Sequence, residues 1–120
     1  MELNADASPA HEIYSHIRGR IISGQLGAGE RLPTVRQLAS DVGVSPGTAA
    51  KAYKLLETEG YVITRTAAGT RVSASAALLP AALVTRIREL VATAGEAGAD
   101  LDDIVASVKA IWPVGENSGG

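Results

Sequence analysis

Two short helical patterns separated by a glycine constrain the fold of this chain more than any other feature of its sequence. The first begins with a capping box formed by Thr34 and Gln37 and ends at Gly43, which is suited to the left-handed conformation that closes a helix. The second begins at Ser45, a helix cap followed by proline, and continues to about Glu59. Two helices joined by a short turn with glycine predict a helix-turn-helix.

One helix precedes this pair and two strands follow it. Ser8 and the proline after it start a helix in which isoleucines recur at every fourth position, and Gly24 ends it. Residues 25–32 form a glycine-punctuated connector with room for a short edge strand. After Gly60, the β-branched and aromatic run 61–65 predicts a strand, residues 67–69 a tight turn, and residues 70–73 the returning strand. Two strands after a helix-turn-helix predict a wing.

The last third of the chain contains two further helical patterns. Residues 73–79 form a linker of small residues, Pro80 opens a fourth helix, and Gly95 and Gly98 interrupt it. Asp100 caps a fifth helix, which Pro113 ends. Two continuous apolar faces would expose too much apolar surface on a single chain, so we expect them to pair in a dimer, unless both helices fold back on their own winged helix. The expected dimerisation residues are Leu83, Val84, Ile87, Leu90, Val91, Leu101, Ile104, Val105, Val108, Ile111 and Trp112.

These patterns predict a mainly α (α+β) fold, a winged helix-turn-helix with a two-stranded wing plus two C-terminal dimerisation helices. We expect a flexible N-terminus at residues 1–9 and a DNA-binding domain at residues 10–74. A dimerisation region at 75–114 and a disordered tail at 115–120 complete the chain.

Composition narrows the class of protein. Cysteine is absent from the 120 residues, which excludes a disulfide framework, a thiolate nucleophile and a cysteine metal site. No apolar run approaches the ~20 residues of a membrane helix, and the N-terminus lacks the apolar segment of a signal peptide, so we expect a cytoplasmic bacterial protein without a membrane partner. The net charge is −2, but residues 10–74 carry eight basic and five acidic side chains, whereas residues 75–120 carry three and six. Such asymmetry is typical of a nucleic-acid-binding face beside an acidic module.

The sequence predicts neither an enzyme nor a metal or cofactor site. His11 and His16 are five residues apart, not at the four-residue spacing of a helical metal pair. Asp100, Asp102 and Asp103 are explained as acids at a helix start, where the helix dipole favours them. No Ser-His-acid or paired-carboxylate arrangement is present.

The start of the third helix carries the residues best suited to read DNA. A recognition helix meets base edges with its N-terminal residues, and hydroxyls and free amides there suit phosphate oxygens. Gly47 lowers helix stability by roughly 0.5–1 kcal/mol relative to alanine, which indicates a close external approach to the backbone. Capping alone would also explain Ser45 and Thr48, and solvated charge would explain Lys51 and Lys54.

Three arginines outside this helix are further candidates. Arg36 lies in the first turn of the second helix, where the dipole opposes a cation, so an external anion such as phosphate would explain it. Arg65 and Arg71 flank the wing turn and are placed to enter a minor groove or contact the DNA backbone. An ordinary surface position remains the alternative for each.

A specific series of short motifs runs through residues 10–74. These motifs are Ile13-Tyr14, Ile21-Ile22-Ser23-Gly24-Gln25-Leu26, Gly29-Glu30-Arg31-Leu32-Pro33-Thr34-Val35-Arg36-Gln37-Leu38-Ala39, Gly43-Val44-Ser45, Thr48, Lys51-Ala52-Tyr53, Leu56-Glu57, Glu59-Gly60 and Gly69-Thr70. The series resembles the winged helix-turn-helix domain of the GntR family. The resemblance implies that Arg36, Ser45, Gly47, Thr48 and Gly69 contact operator DNA. Together with the residues argued above, the expected DNA-binding set is Thr34, Arg36, Ser45, Gly47, Thr48, Lys51, Lys54, Arg65, Gly69, Thr70 and Arg71.

The length of the tail and two departures from the family pattern refine this expectation. Only about 45 residues follow the wing, which resembles the short YtrA-type subfamily and implies a homodimeric repressor that binds an inverted-repeat DNA operator. Family wings are often rich in arginine or glycine where this chain has residues 66–68, and the arginine that some members carry after Ser45 is absent. An alternative class is a protein–protein module that no longer binds DNA. The sequence identifies neither an operator nor a small-molecule effector.

Overall fold

A computed structural model describes residues 8–65 and 69–113 of the chain, except for the side chain of Arg65. The elements are α1 (Pro9–Ile22), α2 (Val35–Val42), α3 (Pro46–Thr58), β1 (Val62–Arg65), β2 (Gly69–Val72), α4 (Ala81–Ala97) and α5 (Leu101–Ile111). This order confirms the predicted fold class, with three helices, a two-stranded wing and two C-terminal helices. The predictions of a flexible start, a tight wing turn and a disordered tail concern, wholly or in part, residues outside those described.

The predicted caps position the first three helices. The Ser8 hydroxyl accepts from the backbone N–H of residue 11 at 3.1 Å and starts α1. At α2, the Thr34 hydroxyl accepts from Gln37 N at 3.1 Å, and the Gln37 side chain accepts from Thr34 N at 3.0 Å. Gly43 follows α2 with a φ of 73°, the left-handed conformation that residues with a Cβ avoid. The turn between α2 and α3 is therefore fixed by local chemistry on both sides.

An aliphatic core joins α3 to α1, α2 and the wing. Ile21 of α1 and Leu56 of α3 are completely buried, and Val62 and Val72 attach the two strands to the same cluster. Val42 follows Leu38 by four residues, a helical spacing that predicts burial on the same side, but Val42 is 48% exposed, so this prediction is wrong. Because Val42 is the last residue of an eight-residue helix, the chain turns away before another element covers it.

The wing is an antiparallel pair with a third segment along its edge. The register pairs Val62 with Val72 and Ile63 with Arg71. Because side chains alternate between the faces of a strand, Val62 and Val72 lie in the core while Ile63 and Arg71 are exposed. The edge strand anticipated in the connector is present as a single bridge between Arg31 and Arg71.

The chain divides into two compact units, with the boundary between Ala81 and Ala82. In the second unit, α4 continues through Gly95, contrary to the predicted interruption, because that glycine keeps the helical conformation. Gly98, with a φ of 70°, follows the end of the helix. Asp100 is the N-cap of α5, although its side chain makes no capping hydrogen bond. No residue of α5 is buried, and Val84 is the one buried residue of α4. In the described part of the chain, no helix is long and apolar enough to cross a membrane.

Candidate nucleic-acid interface

Two hydroxyl groups define the start of α3. Ser45 Oγ accepts from the backbone N–H of Thr48 at 3.1 Å and donates to Thr48 Oγ1 at 3.0 Å. Ser45 therefore caps the helix, as one of the alternatives from sequence proposed. Because Ser45 donates its hydrogen to Thr48, the hydroxyl hydrogen of Thr48 stays available for an acceptor outside the chain.

Gly47 lies between these hydroxyls on an exposed turn of helix. A Cβ built on Gly47 would meet only Ser45 Oγ, at the comfortable distance of 3.9 Å, and its φ is not positive. Its N–H also makes no hydrogen bond with any residue that the structure describes. The protein's own packing therefore does not require glycine here, whereas a ligand approaching the backbone would.

Tyr53 holds α2 against α3. Its hydroxyl donates to the carbonyl oxygen of Pro33, one residue before the α2 cap, and its ring is 4% exposed. Burial raises the pKa of the Tyr53 hydroxyl to about 12, so it remains a donor at neutral pH. Sequence reasoning missed this contact, although Tyr53 follows Ala49 by four residues and precedes Leu56 by three, a spacing that places all three on the buried side.

The predicted cations of the two helices are all exposed. Arg36 lies in the first turn of α2, and Lys51 and Lys54 lie along α3. Within residues 8–65 and 69–113, none of them forms an ion pair. Thr34 is also exposed, but its hydroxyl is engaged in the capping box. The three cations therefore present positive charge on the exposed surfaces of α2 and α3, and no carboxylate of the described residues pairs with them.

The wing supplies a second group of candidates. Arg71 is exposed and donates from Nη1 to the carbonyl oxygen of Gly29 at 3.1 Å. Gly69 has a φ of 75°, and a Cβ on it would lie 3.3 Å from Arg31 Nε. Arg31 was not among the predicted site residues; its place in a bridge opposite Arg71 depends on chain pairing, which local sequence does not encode.

Thr70 differs from the expectation for a DNA-contacting side chain. It is 8% exposed, and its Oγ1 lies 3.5 Å from Thr64 Oγ1. Alternation along β2 directs it to the opposite face from Arg71, so its side chain contributes to packing within the wing. The structure describes the backbone of Arg65, which pairs with Gly69, but not the Arg65 side chain.

Comparison with known proteins gives a family match over the described fold. A sequence model of one family, described as "Bacterial regulatory proteins, gntR family", matches residues 9–72. These residues comprise α1 to α3 and the wing. The transcriptional repressor YtrA of Bacillus subtilis is 33% identical in an alignment of length 111, and the alignment covers 88% of this chain and 85% of YtrA.

Two further comparisons differ in how much of the other protein they cover. A probable rhizopine catabolism regulatory protein, MocR of Rhizobium meliloti, is 37% identical over 86 residues, and the matched region spans only 17% of its length. The solved structure of YtrA from Sulfolobus acidocaldarius, described as a GntR-family transcription factor, is 28% identical with a TM-score of 0.55, and the match covers 78% of this chain and 94% of that one. The chain thus spans a small part of one relative and most of two others.

Proposed function

Because the chain belongs to the GntR family of bacterial regulatory proteins, we propose that it is a transcriptional repressor that binds an inverted-repeat DNA operator as a homodimer. The family consists of regulators, which confirms the prediction that the chain is not an enzyme. In this proposal residues 10–74 bind DNA and residues 75–114 form the dimer. The relative named as a repressor, YtrA of Bacillus subtilis, supports the direction of regulation.

The exposed start of α3 is the observation that carries the DNA-binding part of the proposal. Gly47 offers a free N–H without a side chain, and Thr48 offers a free hydroxyl hydrogen beside it. Donors of this kind at a helix start bind phosphate oxygens or acceptors on base edges. We assign the reading of base edges to this turn of α3.

Exposed cations would hold the protein on the DNA backbone. Arg36, Lys51 and Lys54 extend from the two helices of the motif, and Arg71 extends from the wing. Backbone contacts fix the register of a protein on a duplex but carry no sequence information. Replacing Arg36 with alanine is expected to weaken binding and to reduce the dependence of affinity on salt concentration.

The apolar residues of α4 and α5 support the dimeric part of the proposal. In α4, Leu83, Ile87 and Leu90 are 40–45% exposed, and in α5 Val105 and Val108 are 41% and 43% exposed. An apolar surface of this extent on a single chain marks an interaction site. A second copy of the chain would cover these faces and place two α3 helices on one duplex. Val84 is already buried within one chain, so we assign it a smaller share of that interface.

Selection of bound duplexes from a random DNA library tests the whole proposal. We expect an inverted repeat whose half-sites are about one helical turn, ~34 Å, apart. The binding constant for the recovered duplex is then measured at several salt concentrations. The logarithm of this constant should fall with the logarithm of the salt concentration, with a slope of roughly 0.9 for each phosphate contacted. A library without an enriched motif, together with loss of retention at moderate salt, would contradict the proposal and favour a protein–protein module.

A further inference from the structure

The connector before α2 pairs with the free edge of β2. Gly29 N donates to Val72 O at 2.8 Å, Val72 N donates to Glu30 O at 2.9 Å, and Leu32 N donates to Thr70 O at 2.8 Å. These bonds flank the bridge between Arg31 and Arg71. The helix-turn-helix and the wing are therefore joined by a hydrogen-bonded segment, and that segment carries an arginine.

The bridge places two arginines opposite each other on the outer face of the wing. Directly opposed residues of an antiparallel pair project from the same face, and both Arg31 and Arg71 are exposed. Their guanidinium groups reach in opposite directions along this face. Arg71 Nη1 contacts the Gly29 carbonyl, whereas the Arg31 guanidinium lies against Gly69, where a Cβ would be 3.3 Å from Nε and 3.4 Å from Nη2.

Among residues 8–65 and 69–113, no acidic side chain forms an ion pair that would balance these two arginines. Like charges directly opposite each other destabilise a sheet. The acid next to Arg31 is Glu30, and its Oε1 is occupied by the backbone N–H of Gly27 at 2.9 Å. Neither arginine forms an ion pair with the residues that the structure describes. The two arginines therefore form a cationic edge whose repulsion an external anion would relieve.

We propose that Arg31 is a DNA-binding residue, which contacts phosphodiester oxygens beside those contacted by Arg71. The proposal rests on the DNA-binding function proposed above and adds a contact from the connector, outside both the helix-turn-helix and the wing hairpin. A guanidinium presents up to five N–H donors in a planar fork that fits phosphate oxygens, and no hydrogen bond within the described residues occupies those of Arg31. Gly69 leaves the space in which this side chain lies.

The test compares Arg31→Gln with Arg20→Gln in the chain of 120 residues. Both variants remove one exposed arginine, so they change the net charge equally, but Arg20 lies near the end of α1, where it contacts Gln25. The probes are a duplex recovered from the random library and an unrelated duplex of the same length, each titrated at several salt concentrations. Thermal unfolding of both variants verifies that they are folded.

Relative to Arg20→Gln, we expect Arg31→Gln to lose at least about tenfold in affinity for the duplex. The slope of log affinity against log salt concentration should also be smaller by roughly 0.9 per protomer. The loss should be similar on both duplexes, because a phosphate contact carries no sequence information. If Arg36→Ala weakens binding while Arg31→Gln behaves like Arg20→Gln, the proposal for Arg31 is overturned and the DNA-binding function stands. If the unaltered protein binds neither duplex, both proposals fail.

Discussion

At Gly47, folding stability and DNA affinity favour different residues. The structure has room for a Cβ at this position, so Gly47→Ala should raise the free energy of unfolding by about 0.5–1 kcal/mol through helix propensity. The added methyl group should nevertheless weaken binding to the selected duplex, because it covers the free N–H. Thermal unfolding and duplex titration of the same variant measure the two effects.

A matched control for Gly47 exists in α4. Gly95 is also a helical glycine with no atom near the position of a Cβ. Gly95→Ala should therefore give a similar gain in stability without any loss of DNA affinity. Equal affinities for the two variants would remove Gly47 from the interface.

The raised pKa of Tyr53 predicts a loss of folding stability at alkaline pH. Its pKa is raised by burial from 10.0 to about 12, so the folded state holds the hydroxyl proton more tightly than the unfolded state. The contribution of the protonated hydroxyl to the free energy of unfolding is complete below pH 10 and is lost as the pH rises through 12. The free energy of unfolding of the unaltered protein should fall over this window relative to that of Tyr53→Phe. The difference between the two proteins isolates Tyr53, because Tyr14, whose pKa is also raised by burial and by Glu59, remains in both. A difference that is constant from pH 8 to 12 would contradict a buried donor at this position.

At the scale of the elements, caps and glycines made the first three helices predictable. Thr34, Ser45 and Gly43 act through neighbours within three or four residues, so the sequence alone carries the information. Arg31 and Tyr53 acquire their roles from partners 40 and 20 residues away, and local patterns do not encode such pairings. Tyr53 could have been placed on the buried side by its helical spacing, but not matched with Pro33. Of the candidate site, therefore, the start of α3 was predictable, whereas the pairing of the connector with β2 was only partly predictable.

The capping box of α2 gives a prediction at this scale. Thr34→Ala removes the acceptor for Gln37 N and should lower the free energy of unfolding by about 1 kcal/mol. Thr34→Ser keeps the hydroxyl and should retain most of that stability. Denaturant unfolding of the three proteins provides the comparison, and equal losses for alanine and serine would show that the hydroxyl does not stabilise the helix.

At the scale of the whole molecule, the apolar faces of α4 and α5 connect stability to concentration. If a second copy covers them, the melting temperature should rise with protein concentration, because association stabilises only the folded chain. Val105→Glu places a charge on the exposed apolar face of α5 and should produce a monomer in sedimentation experiments. Ser107→Glu adds the same charge at an exposed position 200° around the helix, calculated at about 100° per residue, and should remain a dimer. Monomeric behaviour of the unaltered protein at all concentrations would contradict the dimer.

The end of α5 has a consequence for how this protein can be observed. Trp112 is the single tryptophan of the chain, it is 54% exposed, and it follows directly on Ile111, which is 81% exposed. Indole emission moves to shorter wavelength when water is removed from around the ring. The intrinsic fluorescence of the unlabelled protein therefore reports on the surroundings of this one helix end, and a blue shift with increasing concentration would signal its coverage by a second chain without any attached dye.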